Sequence, residues 1–293
     1  MPLHPDLADA IAAAIAHADG GRFVVRAARP VGGGCISRNL CIADGGRRYF
    51  VKIDRNAGER FAAEADGLAA LARCAALVVP RVVAQGAAAD EAFLVLDWLD
   101  LDTGGDDARL GDALAALHDI ACPRFGWGRN NFIGATPQAN GWHDDWASFF
   151  AERRLRPQLA LAARNGAPQL AAQATPLLAA LPELLDGHRP RAVLLHGDLW
   201  HGNTGFTRGR PALFDPAVHA GDGEADLAMA ALFGGFSPRF FAAYHARHPL
   251  LPGHQIRCRI YQLYHVLNHY NLFGGGYARQ AATLIAALAG RNA

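Results

Sequence analysis

Lysine is nearly absent from this chain. Of its 28 basic residues, only Lys52 is a lysine and the remainder are arginine. A general preference for arginine and alanine would explain the bias, but it does not explain why one lysine remains. A compact ammonium on a flexible stem differs physically from a planar guanidinium, so a position that keeps lysine here indicates a need for a point charge. Lys52 is therefore a candidate functional residue.

The chain also lacks an excess of charge, a long apolar run and a patterned set of cysteines. Its 28 basic residues are balanced by 27 acidic ones, which argues against a nucleic-acid or membrane partner. No run reaches the length of a membrane span, and residues 1–20 have no basic leader. The five cysteines are scattered without metal-ligand spacing, which indicates reduced thiols. These absences favour a cytoplasmic location.

What is present indicates a folded α+β chain with two domains. Apolar residues make up 51% and charged residues 19% of the 293 positions, enough for a substantial core. In residues 1–98, strand-like segments, a glycine loop and a tight turn predict an antiparallel five-stranded sheet plus one helix, at 59–74. Residues 99–293 turn mainly helical after an acidic linker, with a structureless loop expected at 125–141.

The motif that carries the chemistry is His196-Gly197-Asp198-Leu199-Trp200-His201-Gly202-Asn203. Asp198 is followed five residues later by Asn203, and Asp215 comes after a short polar turn. Enzymes of the protein-kinase type use this order, in which one carboxylate orients the acceptor hydroxyl while an amide and a second carboxylate hold magnesium. The sequence therefore predicts Asp198 as the catalytic base and Asn203 and Asp215 as Mg²⁺ ligands.

The glycines before Lys52 extend this interpretation to ATP. Gly32, Gly33 and Gly34 lie one hairpin before Lys52, and backbone N–H groups in such a loop approach phosphate oxygens closely. A glycine run by itself is more often a flexible turn. In the kinase arrangement the lysine is held by a glutamate on the next helix; Glu64 is the expected partner, with Glu59 as a competitor.

Asp97, Trp98 and Leu99 end the fifth predicted strand and begin the linker. A nucleobase could dock on the backbone N–H and C=O groups there. An ordinary strand end explains the same three residues equally well.

Other interpretations of the motif remain open. A transition-metal hydrolase could use His196, Asp198, His201 and Asp215, although their spacing matches no zinc motif. A nucleotide-binding protein without catalysis would lack the base or the metal ligands, and all of them are present. Trp200 fits an apolar wall against a sugar ring or, more simply, a core tryptophan.

With these residues assembled, the chain resembles the fructosamine/ketosamine-3-kinase family, relatives of aminoglycoside and choline kinases in the protein kinase-like superfamily. The resemblance covers nearly the whole length. Besides the Asp198 motif it rests on five segments: Gly33–Ser37, Phe50–Lys52, Asn131–Gln138, Asp215–Ala217 and the run from Glu224 to Phe236.

The resemblance implies a two-lobed kinase fold and ATP-dependent phosphorylation of the 3-hydroxyl of ketosamines, on small amines or glycated proteins. The unstable 3-phosphate then falls off, so the reaction repairs glycation. It assigns Asp198 as the base, Asn203 and Asp215 as metal ligands, and Trp200 and Asn131 to the substrate.

Two further positions follow from the resemblance. Cys35 matches a glycine-loop cysteine that is redox-active in some members and can link dimers, so a monomer and a homodimer are both open. Asp222 stands where many relatives have a basic residue, which points to a different preferred ketosamine if that position touches substrate. The alternative function is a small-molecule kinase of the aminoglycoside or choline type.

Overall fold

The computed structural model describes residues 3–32 and 36–290 and divides into two compact units. Unit 1 contains residues up to 105 together with 204–216, and unit 2 contains 106–203 together with 217 onward. The sequence-based boundary at residues 98 and 99 stays a prediction, since the structure groups the segment 204–216 with the first unit. Among the helices of the described residues, none is long and apolar enough to cross a membrane.

Unit 1 is built on an antiparallel five-stranded sheet of order β1-β2-β3-β5-β4. Its elements are α1 (Pro5–Asp19), β1 (Ala27–Pro30), β2 (Arg38–Ala43), β3 (Arg48–Asp54), α2 (Gly58–Leu71), β4 (Val82–Ala88) and β5 (Glu91–Asp97). The apolar stripe Leu7, Ile11 and Ile15 of α1 recurs every four residues and packs in one core with the sheet. Phe61 and Leu68 of α2 form a second core with residues of β5. The sheet is therefore covered by helices, and its central strand β3 carries Lys52.

A later hairpin completes unit 1. Strands β11 (Thr204–Thr207) and β12 (Arg210–Leu213) pair with each other. Val78 donates its backbone N–H to Pro211 O and accepts from Leu213 N, which ties the hairpin to the segment after α2. This attachment fixes the start of the chain segment that carries Asp215.

Unit 2 is mainly helical around a small sheet of order β10-β13-β6-β9. Its helices are α3 (Asp107–His118), α4 (Trp146–Phe150), α5 (Arg156–Arg164), α6 (Pro168–Gln173), α7 (Thr175–Leu184), α8 (Glu224–Leu232), α9 (Pro238–Arg247), α10 (His254–Phe273) and α11 (Tyr277–Ala289). Its strands are β6 (Phe125–Trp127), β7 (Asn131–Ile133), β8 (Thr136–Gln138), β9 (Gly141–His143), β10 (Val193–Leu195) and β13 (His219–Gly221). The predicted fold class is confirmed.

The expected structureless loop at 125–141 is wrong. The segment folds into β6, the β7–β8 hairpin and the start of β9, with Gly126, Gly134 and Gly141 at positive φ. Strands of three residues are too short to show an alternating pattern, so the sequence alone showed only the turn residues. A π-helical turn at Ala151–Leu155 joins α4 to α5, a feature common at functional sites.

Candidate active site

Lys52 in unit 1 is buried between two carboxylates. Its side chain is 8% exposed, and Nζ lies 2.6 Å from Glu64 Oε1 and 2.5 Å from Asp215 Oδ1. Burial acts to lower the pKa of Lys52, but the charges of Asp215 and Glu64 outweigh it and hold the pKa above its ordinary value. The lysine therefore stays charged. Glu59, the competing partner, lies one turn earlier on α2 and is exposed.

Asp215 is held in an uncommon backbone conformation. Its φ is +56°, in the left-handed region that residues with a side chain rarely adopt, and it directly precedes Pro216. Its side chain is 35% exposed, although one oxygen contacts Lys52. Strain of this kind is characteristic of sites where a side chain must point in one direction. The carboxylate is thus oriented by its backbone as well as by the lysine.

The remaining nucleotide-binding candidates follow β1 in the sequence or lie at the end of β5. Gly32 is exposed in the connection between β1 and β2, whereas Gly33, Gly34 and Cys35 lie outside the described residues. Asp97 ends β5, and its carboxylate accepts two hydrogen bonds from Arg81. Beyond it, the Trp98 indole donates to Asp100 Oδ1 and lies beneath the Arg48 guanidinium, and Leu99 follows. Roles in binding a nucleobase and phosphates stay predictions for this set.

In unit 2, the loop after β10 needs glycine at position 197. Gly197 has φ +82°, and a Cβ there would lie 2.0 Å from Ala217 O. Any side chain would push the loop off the segment that follows Pro216, to which it is joined by a hydrogen bond from Ala217 N to His196 O. The His-Gly-Asp order is thus explained locally, because glycine permits the close approach that places the next residue, Asp198.

A buried carboxylate, Asp226 on α8, holds the same loop from another side. Its two oxygens accept from His196 N at 2.7 Å and Gly197 N at 2.8 Å, and His118 Nε2 lies 3.2 Å away. Burial acts to raise the pKa of Asp226, but the hydrogen bond and charge of His118 outweigh it, so the pKa lies below its ordinary value. Asp226 was not among the residues predicted from the sequence. The one local sign of its role is that it is an aspartate inside the otherwise apolar run Ala225–Leu232.

Asp198 and Asn203 lie together at the two ends of a tight turn. Asn203 Nδ2 donates to Asp198 O at 3.0 Å and lies 3.3 Å from Asp198 Oδ2. Backbone bonds from Trp200 N to Asp198 O and from Asn203 N to Trp200 O close the turn. Because the amide nitrogen is committed to Asp198, the Asn203 oxygen is the atom suited to a hard cation.

Trp200 is exposed rather than part of the core. Its side chain is 40% exposed, and its ring covers Gly202, where a Cβ would lie 2.2 Å from the indole. His201, which has no role in the kinase interpretation, packs against Gly235. An exposed aromatic two residues from Asp198 offers a flat apolar surface next to a carboxylate.

The other two substrate candidates are buried. Asn131 is 4% exposed, with its amide bonded to Val218 O, Gln138 and Asn140. Asp222 is also 4% exposed and accepts from Tyr261, with His188 Nε2 2.6 Å away. The antiparallel register of β10 and β13 places Asp222 at the opposite end of β10 from Asp198. Substrate contact by either residue stays a prediction, and their surroundings favour a supporting role.

Within the described ranges, one group of histidines and carboxylates is close enough to hold a metal: His188, Asp222 and Glu224, with ligand atoms within 4.8 Å of one another. Glu224 already forms a bidentate ion pair with Arg257, both bonds at 2.7 Å. The Arg257 guanidinium therefore already provides the positive charge at this group. None of the four residues of the hydrolase alternative belongs to it, which argues against that interpretation.

Comparison with known proteins decides the family. The sequence profile of the fructosamine kinase family matches residues 7–290. The chain belongs to the fructosamine kinase family. This confirms the resemblance inferred from the motifs, and with it the assignment to the phosphotransferases.

Several members of the family are similar over nearly their full length. A protein of Synechocystis named as a ketoamine kinase is 45% identical over 282 residues, which cover 94% of each chain. The chloroplastic protein-ribulosamine 3-kinase of Oryza sativa is 36% identical over 262 residues, 87% of this chain and 76% of its own. A crystal structure from Haemophilus somnus, named as a fructosamine-3-kinase, superimposes with a TM-score of 0.88 at 29% identity, covering 95% and 96% of the two chains.

Proposed function

We propose that this chain transfers the γ-phosphoryl group of ATP to the 3-hydroxyl of a ketosamine, and that the acceptor is a sugar attached to a small amine or a protein. The observation that carries the proposal is the Asp198 turn, in which a carboxylate, an amide and an exposed indole are fixed within six residues. Membership of the fructosamine kinase family supports ATP as the donor and a ketosamine as the acceptor.

The roles of the residues follow from what phosphoryl transfer requires, which is mostly positioning and charge stabilisation. Asp198 orients the attacking hydroxyl and accepts its proton. Lys52, kept charged by Glu64 and Asp215, contacts the phosphates of ATP. Trp200 lies against the sugar ring, where an apolar face and a neighbouring carboxylate suit a polyhydroxylated ligand.

Magnesium fits the donor set available. The Asn203 amide oxygen and the Asp215 carboxylate are hard oxygen donors, the kind of ligand that Mg²⁺ prefers. When bound, Mg²⁺ neutralises charge on the transferring phosphoryl group. The strained backbone of Asp215 and the Asn203 amide, turned by its bond to Asp198, pre-orient these two ligands.

We further propose ribulosamine as a better acceptor than fructosamine. The rice relative named as a protein-ribulosamine 3-kinase supports a shorter sugar.

A side-by-side assay tests both the ketosamine kinase activity and the preference for ribulosamine. ATP consumption is measured with ribulosamine, fructosamine, erythrulosamine, an aminoglycoside and choline, and release of free amine is followed in the ketosamine reactions. We expect turnover and amine release with the ketosamines, with the highest kcat/KM for ribulosamine, and background rates in Asp198→Asn. Turnover on the aminoglycoside or choline that exceeds every ketosamine would replace the proposed acceptor.

A further inference from the structure

The hairpin β7–β8 places two buried amides opposite each other. Its register pairs Asn131 with Gln138 and Ile133 with Thr136, so these four side chains share the buried face while Phe132 and Pro137 face outward. Gln138 Nε2 donates to Asn131 Oδ1 at 2.8 Å. Both amides then reach beyond the hairpin, to the backbone of residues 217 and 218.

These two amides hold the segment on which the Asp198 loop lies. Asn131 Nδ2 donates to Val218 O at 2.7 Å, and Gln138 Nε2 lies 3.2 Å from Ala217 O. Ala217 in turn donates its N–H to His196 O at 2.9 Å. The catalytic loop thus has a second support besides Asp226, and this support consists of neutral amides bonded to backbone.

A buried cation begins this chain of hydrogen bonds. Arg154 is fully buried and donates to Asn140 Oδ1 at 2.7 Å and to Ala139 O at 2.8 Å, with its guanidinium over the Phe149 ring. In the described part of the chain no carboxylate forms an ion pair with it. Burial lowers the pKa of Arg154 to about 10, so it still donates at neutral pH. A buried charge without a counter-ion is costly, and its retention indicates a specific task.

That task is to fix the direction of the hydrogen bonds that lead from Asn140 through Asn131 to Val218. Because a guanidinium can only donate, the Asn140 oxygen must face it and the Asn140 nitrogen must donate onward. Asn140 Nδ2 does so to Asn131 Oδ1 at 2.9 Å, which leaves the Asn131 nitrogen to donate to Val218. Tyr264 fixes the orientation of the second amide, Gln138, since its hydroxyl donates to Gln138 Oε1 at 2.5 Å.

We infer that Asn131 is a positioning residue rather than a substrate contact, and that Arg154 sets its orientation through Asn140. This role of Asn131 rests on the proposed function, whereas the hydrogen bonds that lead from Arg154 to Val218 are present without substrate. The Tyr264 phenol links the two regions electrostatically: burial raises its pKa to about 12, with Asp198 adding to the rise and Arg154 opposing it.

The experiment uses Asn131→Asp, which keeps the shape and removes the N–H aimed at Val218 O. Amide hydrogen exchange is measured at Gly197, Asp198 and Ala217, with the amides of α11 as internal reference. We expect exchange at the three loop positions to rise at least tenfold while α11 is unchanged. Arg154→Met should raise it at the same positions. The matched control is Asn165→Asp, whose exposed amide bonds only to Asn271 and which should leave the loop unchanged.

Kinetics provides the second readout. For Asn131→Asp we expect kcat to fall at least tenfold and equally for ribulosamine and fructosamine, with each KM within twofold of the wild-type value. A rise in ketosamine KM at unchanged kcat and unchanged loop exchange would make Asn131 a substrate contact and overturn the inference. Unchanged loop exchange alone would also overturn it, even if the protein phosphorylates no ketosamine. If Asn131→Asp does not fold, Asn131→Ser is measured in its place.

Discussion

The two units hold their functional groups in different ways. In unit 1, Lys52 is fixed by two carboxylates at 2.5 and 2.6 Å, so opposite charges determine its position. In unit 2, the loop before Asp198 is fixed through its backbone, by the Asp226 carboxylate and by Ala217. The proposed roles explain this difference, since a cation that contacts phosphates is held in place by opposite charges, whereas a base that must meet one hydroxyl needs a loop of fixed shape.

The largest expected effect separates chemistry from nucleotide binding. Asp198→Asn keeps the turn with Asn203 but removes the proton acceptor, so kcat should fall by about 10²–10⁴-fold. ATP should still raise the melting temperature as it does in the wild type. Near-normal turnover in this variant would show that Asp198 is not the base.

Lys52→Arg tests whether position or charge matters in unit 1. A planar guanidinium cannot occupy the space of an ammonium that is 8% exposed between two carboxylates, so phosphate contact should be displaced. We expect kcat/KM for ATP to fall by about 10²-fold, the usual result of a misplacement near 1 Å. The exposed Arg55→Lys is the reverse control. A fully active Lys52→Arg enzyme would mean that any cation suffices.

Asp226→Asn should break the backbone support of unit 2. An amide offers one oxygen where the carboxylate offered two, so a buried N–H of the loop loses its acceptor. The free energy of unfolding should fall by about 2–3 kcal/mol, measured by urea denaturation. The exposed Asp112→Asn on α3 should change it by less than about 0.5 kcal/mol. Equal stability of the two variants would remove Asp226 from the support.

A pH dependence of stability arises from buried histidines of unit 2. Burial lowers the pKa of His265 to about 3 and the pKa of His219 well below its ordinary value. Below about pH 6.5 the unfolded chain therefore binds protons that the folded chain does not. The free energy of unfolding should fall by about 1.4 kcal/mol per pH unit on account of His265 as the pH decreases from 6.5 toward 3, and His219 adds to this fall below pH 6.5.

His265→Gln should reduce this slope by one proton, whereas the exposed His17→Gln serves as the control on α1. Urea midpoints between pH 4 and 7 measure the difference. An unchanged slope in His265→Gln would show that this histidine is not held neutral by the fold.

Residues whose chemistry depends on their type were visible in the sequence. Lys52 is the one lysine of the chain, and Asp198, Asn203 and Asp215 follow the order that enzymes of the protein-kinase type use. The sheet and helices of unit 1 followed from alternating and stepped apolar patterns, and β3 at Arg48–Asp54 agrees with the predicted strand. Fold class and family therefore follow from residue types, their spacing and local apolar patterns.

Residues whose role depends on a distant partner could not be found in this way. Asp226 acts on a loop 29 residues earlier, and Arg154 acts on Val218 only through Asn140 and Asn131. Nothing local in sequence marks such pairs, because a buried polar side chain is recognised by what surrounds it.

The sequence by itself predicts which atoms perform the chemistry, because residue type and spacing point to a base, a cation and two oxygen ligands. Tertiary structure decided how those atoms are held. It turned Asn131 from a substrate candidate into a buried donor, since the register of β7 and β8 directs its amide at the backbone of Val218. The tertiary structure also leaves Trp200 exposed, since its ring packs over Gly202 and not in the core.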